Sequence, residues 1–375
     1  MRHAIAIATA GLAALLAGCA NAPPAAPPST EMDEAIRTAA LREAEAWHPV
    51  DTAALDPRVG PEGAIEPAAA IDCTFVVPHT APGGNTPKFL CRDADGQIFK
   101  VKYGPDNMEV HSEIFGSRLL WMLGFYSDRI DPVRVRCRGC PEDPWDFLRS
   151  LDAADPRPGP PVTEVHEFAP AILETYFGSR IQAHAGQGLR WPELLSERSR
   201  DPARAAQQRI HREALTLLAT FLGHGDSKPA NQTLACAPGA GSPARCTRSV
   251  VYIGDLGALL GRGWRLVTSK VDIEDWESLP VWRDPAACVA AVNPHPIGTL
   301  SDTPISEPAR AFLAERLSAL SDRQLRSLFD LAGLDGLGGE VEDPDGTAHP
   351  PSLDDWLRVF DAKRHQIVDH TCPAG

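Results

Sequence analysis

The segment His224–Asn231 (HGDSKPAN) and the later tripeptide Asp255–Gly257 (DLG) carry the strongest signal in this sequence. The first segment follows a long helical pattern, and the tripeptide follows the apolar run Val250–Gly254 (VVYIG), which predicts a strand. Aspartate, lysine and asparagine supply a carboxylate, an ammonium group and an amide oxygen, which are groups that bind phosphates and divalent cations. Taken singly, each residue has a structural explanation, such as capping a turn or forming a solvated surface charge. Their order on matching elements instead indicates one chemical site.

Both segments resemble signature segments of protein kinases: the H-x-D-x-K-x-x-N catalytic loop and the metal-binding D-F-G, with leucine in place of phenylalanine. The resemblance implies that Asp226 orients an acceptor hydroxyl and takes its proton, while Lys228 offsets charge that develops on the γ-phosphate. It also implies that Asn231 and Asp255 bind Mg²⁺ or Mn²⁺. ATP or another nucleotide is the implied donor, and the acceptor is a hydroxyl group of unknown identity.

Upstream residues occur in the order that the resemblance requires. A predicted strand carries Lys102 near its end, and Glu113 lies on the helical pattern that follows. By resemblance, Lys102 holds the α- and β-phosphates and forms an ion pair with Glu113. Glu109, one helical turn earlier, is the alternative partner, and the sequence leaves that choice open.

A glycine-containing turn before the second predicted strand completes the implied nucleotide site. By similarity to HipA-type kinases, the loop that begins at Gly83 and Gly84 lies over the phosphates with its backbone N–H groups facing them. Lys88 follows this loop and would contact phosphate. The segment Glu164–Ala169 would be the hinge whose backbone meets the adenine.

The chain departs from ordinary protein kinases in two respects. The interval between Asn231 and Asp255 is longer, and no A-P-E segment or activation loop follows Asp255. The match is therefore closer to atypical kinases of the HipA, secreted-kinase or lipid-kinase type, over roughly residues 70–260. Two other functions stay open: a kinase-fold binding or envelope-maintenance lipoprotein without transfer, and nucleotidyl transfer at the same site.

Strand patterns precede helix patterns along the chain, which predicts an α+β class. The resemblance specifies a two-lobed protein-kinase-like fold, with a small β-rich N-lobe carrying one helix and a mainly helical C-lobe. Strands are predicted at Cys73–Pro78, Lys88–Arg92, Ile98–Tyr103, Ile130–Val135 and Glu164–Phe168. Helices are predicted at Glu109–Leu123, Ala171–Phe177, Pro202–Leu222, Glu307–Leu320, Asp322–Ala332 and Leu353–Asp369.

Composition and pattern set the predicted domain boundaries. Residues 1–18 are predicted to be a signal peptide. Residues 19–67, Ala/Pro-rich at first and with one helix-like run, are predicted to be mostly a tether. Residues 68–169 form the predicted N-lobe and hinge, with an irregular insertion at 137–161, and residues 170–375 form the predicted C-lobe.

The N-terminus has the features of an exported chain. One basic residue, Arg2, precedes the apolar run Ile5–Ala17, which is too short to span a bilayer comfortably. The run leads into Leu16–Cys19 (LAGC), which resembles a lipobox, so that cleavage before Cys19 would leave this residue to carry lipid. Ala20 stands where an aspartate would favour inner-membrane retention, so the resemblance implies a lipid anchor in the outer membrane. The alternative is an ordinary signal peptide with a chance cysteine.

The cysteines after Cys19 are even in number, which predicts disulfides in an exported chain. They are Cys73, Cys91, Cys137, Cys140, Cys236, Cys246, Cys288 and Cys372. Close spacing makes Cys73 with Cys91, and Cys236 with Cys246, plausible pairs, but the connectivity as a whole stays open. The CRGC segment at 137–140 would also suit a redox pair or half a zinc site. Because neither a second such pair nor a strand–helix redox context accompanies it, a structural disulfide is favoured.

Composition narrows the expected partners. The chain has 36 Lys and Arg against 50 Asp and Glu, a formal net charge of −14, and no basic stripe, so nucleic acid is not an expected partner. The expected partners are a membrane, reached through lipid on Cys19, and the hydroxyl acceptor. Four tryptophans of the last third are expected mainly as core or half-buried supports: Trp264, Trp276, Trp282 and Trp356.

Overall fold

The computed structural model describes residues 30–78, 83–151, 163–182, 188–261, 271–293 and 297–373. The helices are α1 (Thr30–Glu43), α2 (Met108–Met122), α3 (Pro144–Arg149), α4 (Trp191–Ser196), α5 (Pro202–Phe221), α6 (Ile273–Ser278), α7 (Glu307–Ser318), α8 (Asp322–Leu331) and α9 (Leu353–Val368). The strands are β1 (Ala69–Val76), β2 (Lys88–Arg92), β3 (Ile98–Tyr103), β4 (Arg129–Arg138), β5 (Val165–Thr175), β6 (Ser179–Arg180), β7 (Gln232–Cys236), β8 (Ser249–Ile253), β9 (Trp282–Asp284), β10 (Val289–Ala290), β11 (Thr303–Pro304), β12 (Val341–Glu342) and β13 (Ala348–His349). This mixture confirms the predicted α+β class.

In the first half of the described chain, β1 to β5 form one closed sheet in the order β1-β2-β3-β5-β4. A parallel pairing of β1 with β4 closes it, and the other neighbours are antiparallel. The turn between β2 and β3 contains Gly96 at φ +86°, a conformation that glycine adopts without steric cost. Apolar side chains such as Phe89, Val101 and Leu173 fill the interior of the sheet. The predictions for β2 and β3 are confirmed.

Strand β5 corrects two predictions. The sequence predicted a strand that stops before Pro170 and a helix over Ala171–Phe177, but the strand continues to Thr175. β5 lies between β3 and β4, and its apolar run at 171–173 is buried in the sheet. A short apolar run fits a buried strand as well as a helix, which is why periodicity misassigned it. The segment 164–169, predicted as the hinge, therefore lies mostly within the strand, and the sheet ends six residues beyond the predicted boundary.

Helix α2 packs between the closed sheet and the helices of the second half. Asn107 caps its first turn by accepting a hydrogen bond from the backbone N–H of Glu109, and Gly124 follows its last turn at φ +83°. The predicted helices α2, α5, α7, α8 and α9 are confirmed to within two residues at each end. Trp276, Trp282 and Trp356 are buried as expected, whereas Trp264 lies outside the described residues. Within the described ranges, no helix is both long enough and apolar enough to cross a bilayer.

The prediction that residues 19–67 are mostly a tether is wrong for the part that the structure describes. Leu41, Ala44 and Ala46 are buried, and α1 packs against β8. Arg212 on α5 donates hydrogen bonds to the carbonyl oxygens of Leu41 (2.9 Å) and Ala44 (2.8 Å). These buried residues come after the Ala/Pro-rich start of the segment, and they form a small apolar face for docking. The segment predicted to be a signal peptide, residues 1–18, and Cys19 lie outside the described residues.

Four disulfides are present in the described chain: Cys73–Cys91, Cys137–Cys140, Cys236–Cys246 and Cys288–Cys372. The two near pairs and the structural disulfide at 137–140 are thereby confirmed. The predicted irregular insertion at 137–161 is partly ordered, because β4 extends to Arg138 and α3 follows. Residues 152–161 of that insertion lie outside the described residues.

Candidate active site

The loop between α5 and β7 holds Asp226, Lys228 and Asn231 close together. Lys228 forms an ion pair with Asp226, with 2.5 Å between Nζ and Oδ2. Asn231 donates its side-chain N–H to the backbone carbonyl of Asp226 at 2.7 Å. The backbone N–H and the hydroxyl of Thr299 both donate hydrogen bonds to the backbone carbonyl of Ser227 in the same loop, each at 3.0 Å. These contacts give the loop a fixed shape in which the predicted catalytic residues share one surface.

Asp255 follows β8, the strand paired antiparallel with β7, so it lies beside this loop. Its Oδ1 accepts the backbone N–H of Gly257 at 3.0 Å. Although burial works in the opposite direction, the ammonium groups of Lys102 and Lys100 hold the pKa of Asp255 below its usual range, and Lys228 adds to this. Asp255 is therefore an ionised carboxylate, stabilised by Lys100 and Lys102 from the first half of the chain and by Lys228 from the second.

Lys102, at the end of β3, is only 2% exposed and forms ion pairs with both Glu109 (2.6 Å) and Glu113. Burial would lower the pKa of Lys102, but the carboxylates of Glu113 and Asp255 raise it well above its usual value. Burial and the neighbouring Asp255 raise the pKa of Glu113, against the effect of Lys102. The sequence left open whether Glu109 or Glu113 pairs with Lys102, and in the structure both do.

A close fit between α2 and the turn after Asp255 connects these two groups of residues. The Ser112 hydroxyl donates to the Gly257 carbonyl at 2.9 Å. A Cβ atom on Gly257 would lie 2.8 Å from Cγ of Glu109 and 3.2 Å from Oδ1 of Asp255, so the close approach requires glycine. Similarly, a Cβ on Gly116 would lie 3.1 Å from Cβ of Leu256. Glu109 and Asp255 are consequently held side by side.

The residues described so far surround one space, which we call the cleft: Lys102, Glu109, Glu113, Asp226, Lys228, Asn231 and Asp255. The predicted phosphate loop also borders this cleft. Lys88 on β2 is the direct neighbour of Lys102 on β3 and donates to the Gly83 carbonyl at 2.9 Å. Burial and the charge of Lys102 lower the pKa of Lys88, while Glu109 and Asp255 oppose the shift. Gly84 has φ +88°, and a Cβ there would lie 2.7 Å from Nζ of Lys88. Residues 79–82, which precede this loop, lie outside the described residues.

Two residues of the cleft were missed by the sequence reasoning. Lys100 and Lys102 lie two residues apart on β3 and so share one face of the sheet. Lys100 forms an ion pair with Glu174 on β5, and the field of Asp255 also acts on it. The period-2 pattern of Ile98–Tyr103 (IFKVKY) contained the signal for Lys100. Glu174 was hidden because its segment was predicted to be a helix.

The donor atoms of the cleft fit a divalent cation and a phosphate chain. Asp255 offers an ionised carboxylate, and Asn231 uses its N–H for the Asp226 carbonyl, which leaves its amide oxygen as the ligand atom. Oxygen donors of this kind suit Mg²⁺ or Mn²⁺. Lys88, Lys102 and Lys228 supply the positive charge that a phosphate chain needs.

The connection from the closed sheet to the second half is the short segment Tyr176–Gly178, which we call the linker. Gly178 has φ +71°, and a Cβ there would lie 2.0 Å from the Cys236 carbonyl oxygen, so the linker runs directly against β7. The linker makes the connection between the two halves that was predicted for residues 164–169. The segment therefore joins the strand that carries Glu174 to the sheet that leads to Asp255.

No protein-family model and no curated protein matches the chain. Among solved structures, one described as a Helicobacter pylori proinflammatory kinase, CtkA, is similar over 80% of this chain and 96% of that chain, with 11% identity and a TM-score of 0.41. Another, described as the open conformation of CtTel1, is similar over 75% of this chain and 10% of that chain, with 12% identity and a TM-score of 0.21. At this identity and TM-score, neither similarity assigns a function to the chain.

Proposed function

We propose that this protein transfers the γ-phosphoryl group of ATP to a hydroxyl group, in a protein-kinase-like fold whose N-lobe is the closed sheet with α2. The observation that supports this proposal most strongly is that three segments far apart in sequence meet in one cleft. They contain Lys102 on β3, Asp226 before β7 and Asp255 after β8. Each segment is anchored by its own hydrogen bonds. Because phosphoryl transfer depends mainly on positioning and charge neutralisation, such an arrangement suits it.

In this mechanism the side chains bind, orient and move one proton. Lys102 and Lys88 bind the phosphates of the donor. Asp226 orients the acceptor hydroxyl and accepts its proton as the new O–P bond forms and the bond from the γ-phosphorus to ADP breaks. Lys228 stabilises the charge on the transferred group. Asp255 and Asn231 would hold Mg²⁺ or Mn²⁺, which when bound neutralises the phosphate oxygens.

Radiolabelled ATP tests this function in the full chain. With Mg²⁺ or Mn²⁺ and a cell-envelope fraction as acceptor, we expect label from [γ-³²P]ATP, and not from [α-³²P]ATP, to be transferred. Asp226→Ala and Asp255→Ala should each lower the rate by about 100-fold or more. Arg136→Met, on the exposed outer face of β4, is the matched control. Transfer of the α-label would indicate nucleotidyl transfer, and unchanged activity in both alanine variants would rule out this site.

We also propose that the chain is an exported lipoprotein anchored through Cys19, in the outer membrane. The disulfides of the described chain support an oxidising compartment outside the cytoplasm. Metabolic labelling with an alkyne fatty acid should tag the wild-type chain and leave Cys19→Ser unlabelled, and only the wild type should fractionate with outer membranes. A wild-type chain without label, or one in the soluble fraction, would contradict the anchor.

A further inference from the structure

A second cavity, of about 530 Å³, lies on the other side of β5 from the cleft. Neighbouring residues of a strand point to opposite faces, and here Glu174 pairs with Lys100 in the cleft while Thr175 lines the cavity. The C-terminal end of α2, the segment 125–129 and the linker form most of the remaining wall, so we call it the linker cavity. His48, Pro61, Glu62 and Pro238 complete it. None of the cleft lysines or carboxylates lines it. Its volume suits a small organic molecule.

Two arginines at the linker cavity share a single buried carboxylate. Asp131 contacts Arg129 at 2.7 Å and Arg118 at 3.4 Å, and it also accepts the backbone N–H of Ile65. Arg118 is 1% exposed, and its Nε has no hydrogen-bond partner among the described residues. The guanidinium group of Arg118 lies directly beneath Gly60, where a Cβ would come within 2.6 Å of Cζ. This end of the cavity therefore carries an excess of positive charge.

Two other acidic residues at the cavity do not balance this charge. The Asp128 carboxylate forms an ion pair with Arg180 at 3.4 Å, and its Oδ1 also accepts the Phe177 backbone N–H at 2.7 Å and the Tyr252 hydroxyl at 2.8 Å. Glu62 is exposed at the rim, where solvent screens it. A buried cation with incomplete hydrogen bonding is costly, and an anionic ligand would offset that cost.

The remainder of the cavity is mostly aromatic. Trp121, Phe125, Tyr126 and Phe177 are among its lining residues, and the rings of Tyr126 and Phe177 lie 5.2 Å apart. The two rings pack against each other at this spacing and form one apolar wall, against which a flat aromatic ligand can lie. From these two features, we infer that the linker cavity binds an aromatic monoanion, whose rings pack among the aromatic side chains and whose carboxylate or sulfonate meets Arg118 and Arg129. Such a ligand would contact the linker directly.

Binding of 1-anilinonaphthalene-8-sulfonate to the full chain tests this inference, with N-phenyl-1-naphthylamine as an uncharged probe of the same shape. We expect one sulfonate bound per chain, with affinity about tenfold weaker in Arg129→Met. The uncharged probe should bind wild type and Arg129→Met equally. Thr175→Phe, which fills the cavity, should weaken both probes, whereas Arg136→Met should change neither.

The same titration separates this site from the cleft. Asp255→Ala should bind the sulfonate as wild type does, and ATP with Mg²⁺ should not displace it, so the inference stands or fails independently of the proposed phosphoryl transfer. Displacement by ATP would place the probe in the cleft and overturn the inference. Wild-type affinity in both Arg129→Met and Thr175→Phe would overturn it as well. If Arg129→Met unfolds, Arg129→Lys provides the second variant, with a smaller loss of sulfonate affinity expected because lysine lacks the two-pronged geometry.

Discussion

Lys102 is shared between two glutamates, and their different burial indicates which one fixes its position. The Glu113 carboxylate is 4% exposed and that of Glu109 15% exposed, so the Glu113 contact is the better shielded from solvent. A charge pair loses more when a buried partner is removed than when an accessible one is. Glu109, in turn, lies against the turn after Asp255. We therefore assign the orientation of Lys102 chiefly to Glu113.

Replacing each glutamate with glutamine tests this assignment. Glu113→Gln should weaken ATP affinity by about tenfold, because Lys102 is then drawn towards Glu109 and away from the phosphates. Glu109→Gln should change the affinity by less than about threefold. Equilibrium titration of both variants with ATP and Mg²⁺ provides the comparison. The reverse order would make Glu109 the functional partner.

The adjacent glycines of the predicted phosphate loop differ in what they tolerate. Gly84 has φ +88° and approaches Lys88, whereas a Cβ on Gly83 would meet nothing within 4 Å. Gly84→Ala should lower the free energy of unfolding by about 1 kcal/mol, and Gly83→Ala should leave it unchanged. Urea denaturation measures both. Equal stability of the two variants would show that the loop does not need a glycine at position 84.

Some residues of the cleft could be predicted from the sequence, because their residue types and their order along the chain were enough to identify them. Asp226, Lys228, Asn231 and Asp255 lie in two short segments that resemble kinase motifs, so the resemblance singled them out. Glu174 could not be found in this way, because its role depends on sheet register, pairing it with Lys100 across two strands. Register is determined by the fold as a whole rather than by local sequence.

Among the elements, those with long and regular patterns were predicted well. Helices α5 and α9 repeat their apolar residues over several turns, so few alternatives compete. β5 was misassigned because its apolar stretch is short. The docking of α1 was missed because the helix follows an Ala/Pro-rich stretch of the kind found in linkers. The decisive information for both lies in tertiary contacts, such as the carbonyl groups of Leu41 in α1 and Ala44 just after it, which accept hydrogen bonds from Arg212.

The docking of α1 and the residues after it depends on Arg212, which is buried in α5. Its guanidinium group donates to backbone carbonyls in two separate segments, including those of Leu41 and Leu194, and burial lowers its pKa to about 10. Arg212→Met should cost about 3 kcal/mol or more, because buried carbonyl groups lose their donors. Arg209→Met, on the same helix but 55% exposed, should cost less than about 1 kcal/mol. Chemical denaturation of both variants gives the comparison, and equal losses would contradict a special role for Arg212.

Asp128 connects β8 to the linker and makes stability depend on pH. Burial raises its pKa to about 6 in the folded chain, from an ordinary value of 3.8, although the Phe177 N–H opposes this shift. Since the folded state binds this proton more tightly, the contribution to stability is present below pH 4 and is lost as the pH rises through 6. The stability of wild type relative to Asp128→Asn should therefore fall by about 2 to 3 kcal/mol over that range. A difference independent of pH, measured by denaturation at several pH values, would show that Asp128 does not titrate in this way.

At the scale of the molecule, the disulfides differ in the length of chain that they close. Cys288–Cys372 spans 84 residues and Cys236–Cys246 spans 10. On chain-entropy grounds, removing the first with a double serine variant should cost about 4 to 5 kcal/mol and removing the second about 3 kcal/mol. Thermal unfolding under non-reducing conditions tests the order, and a larger effect at Cys236–Cys246 would contradict it.

Docking of α1 also limits where the whole molecule acts. If Cys19 carries the lipid, the chain from there to Thr30 can span at most about 40 Å. The cleft would then work close to the membrane surface, and acceptors within that layer become the first candidates. This reach is much shorter than a tether extending to residue 67 would allow.

The central claim, that the cleft binds a nucleotide through a divalent cation, is tested most directly by calorimetric titration with a non-hydrolysable ATP analogue. In the wild-type chain, we expect one molecule to bind only when Mg²⁺ or Mn²⁺ is present. Asp255→Asn keeps an acceptor for the Gly257 N–H but removes the charge, and it should weaken binding at least about tenfold. No binding to the wild type, or equal metal-dependent binding to both chains, would contradict the claim.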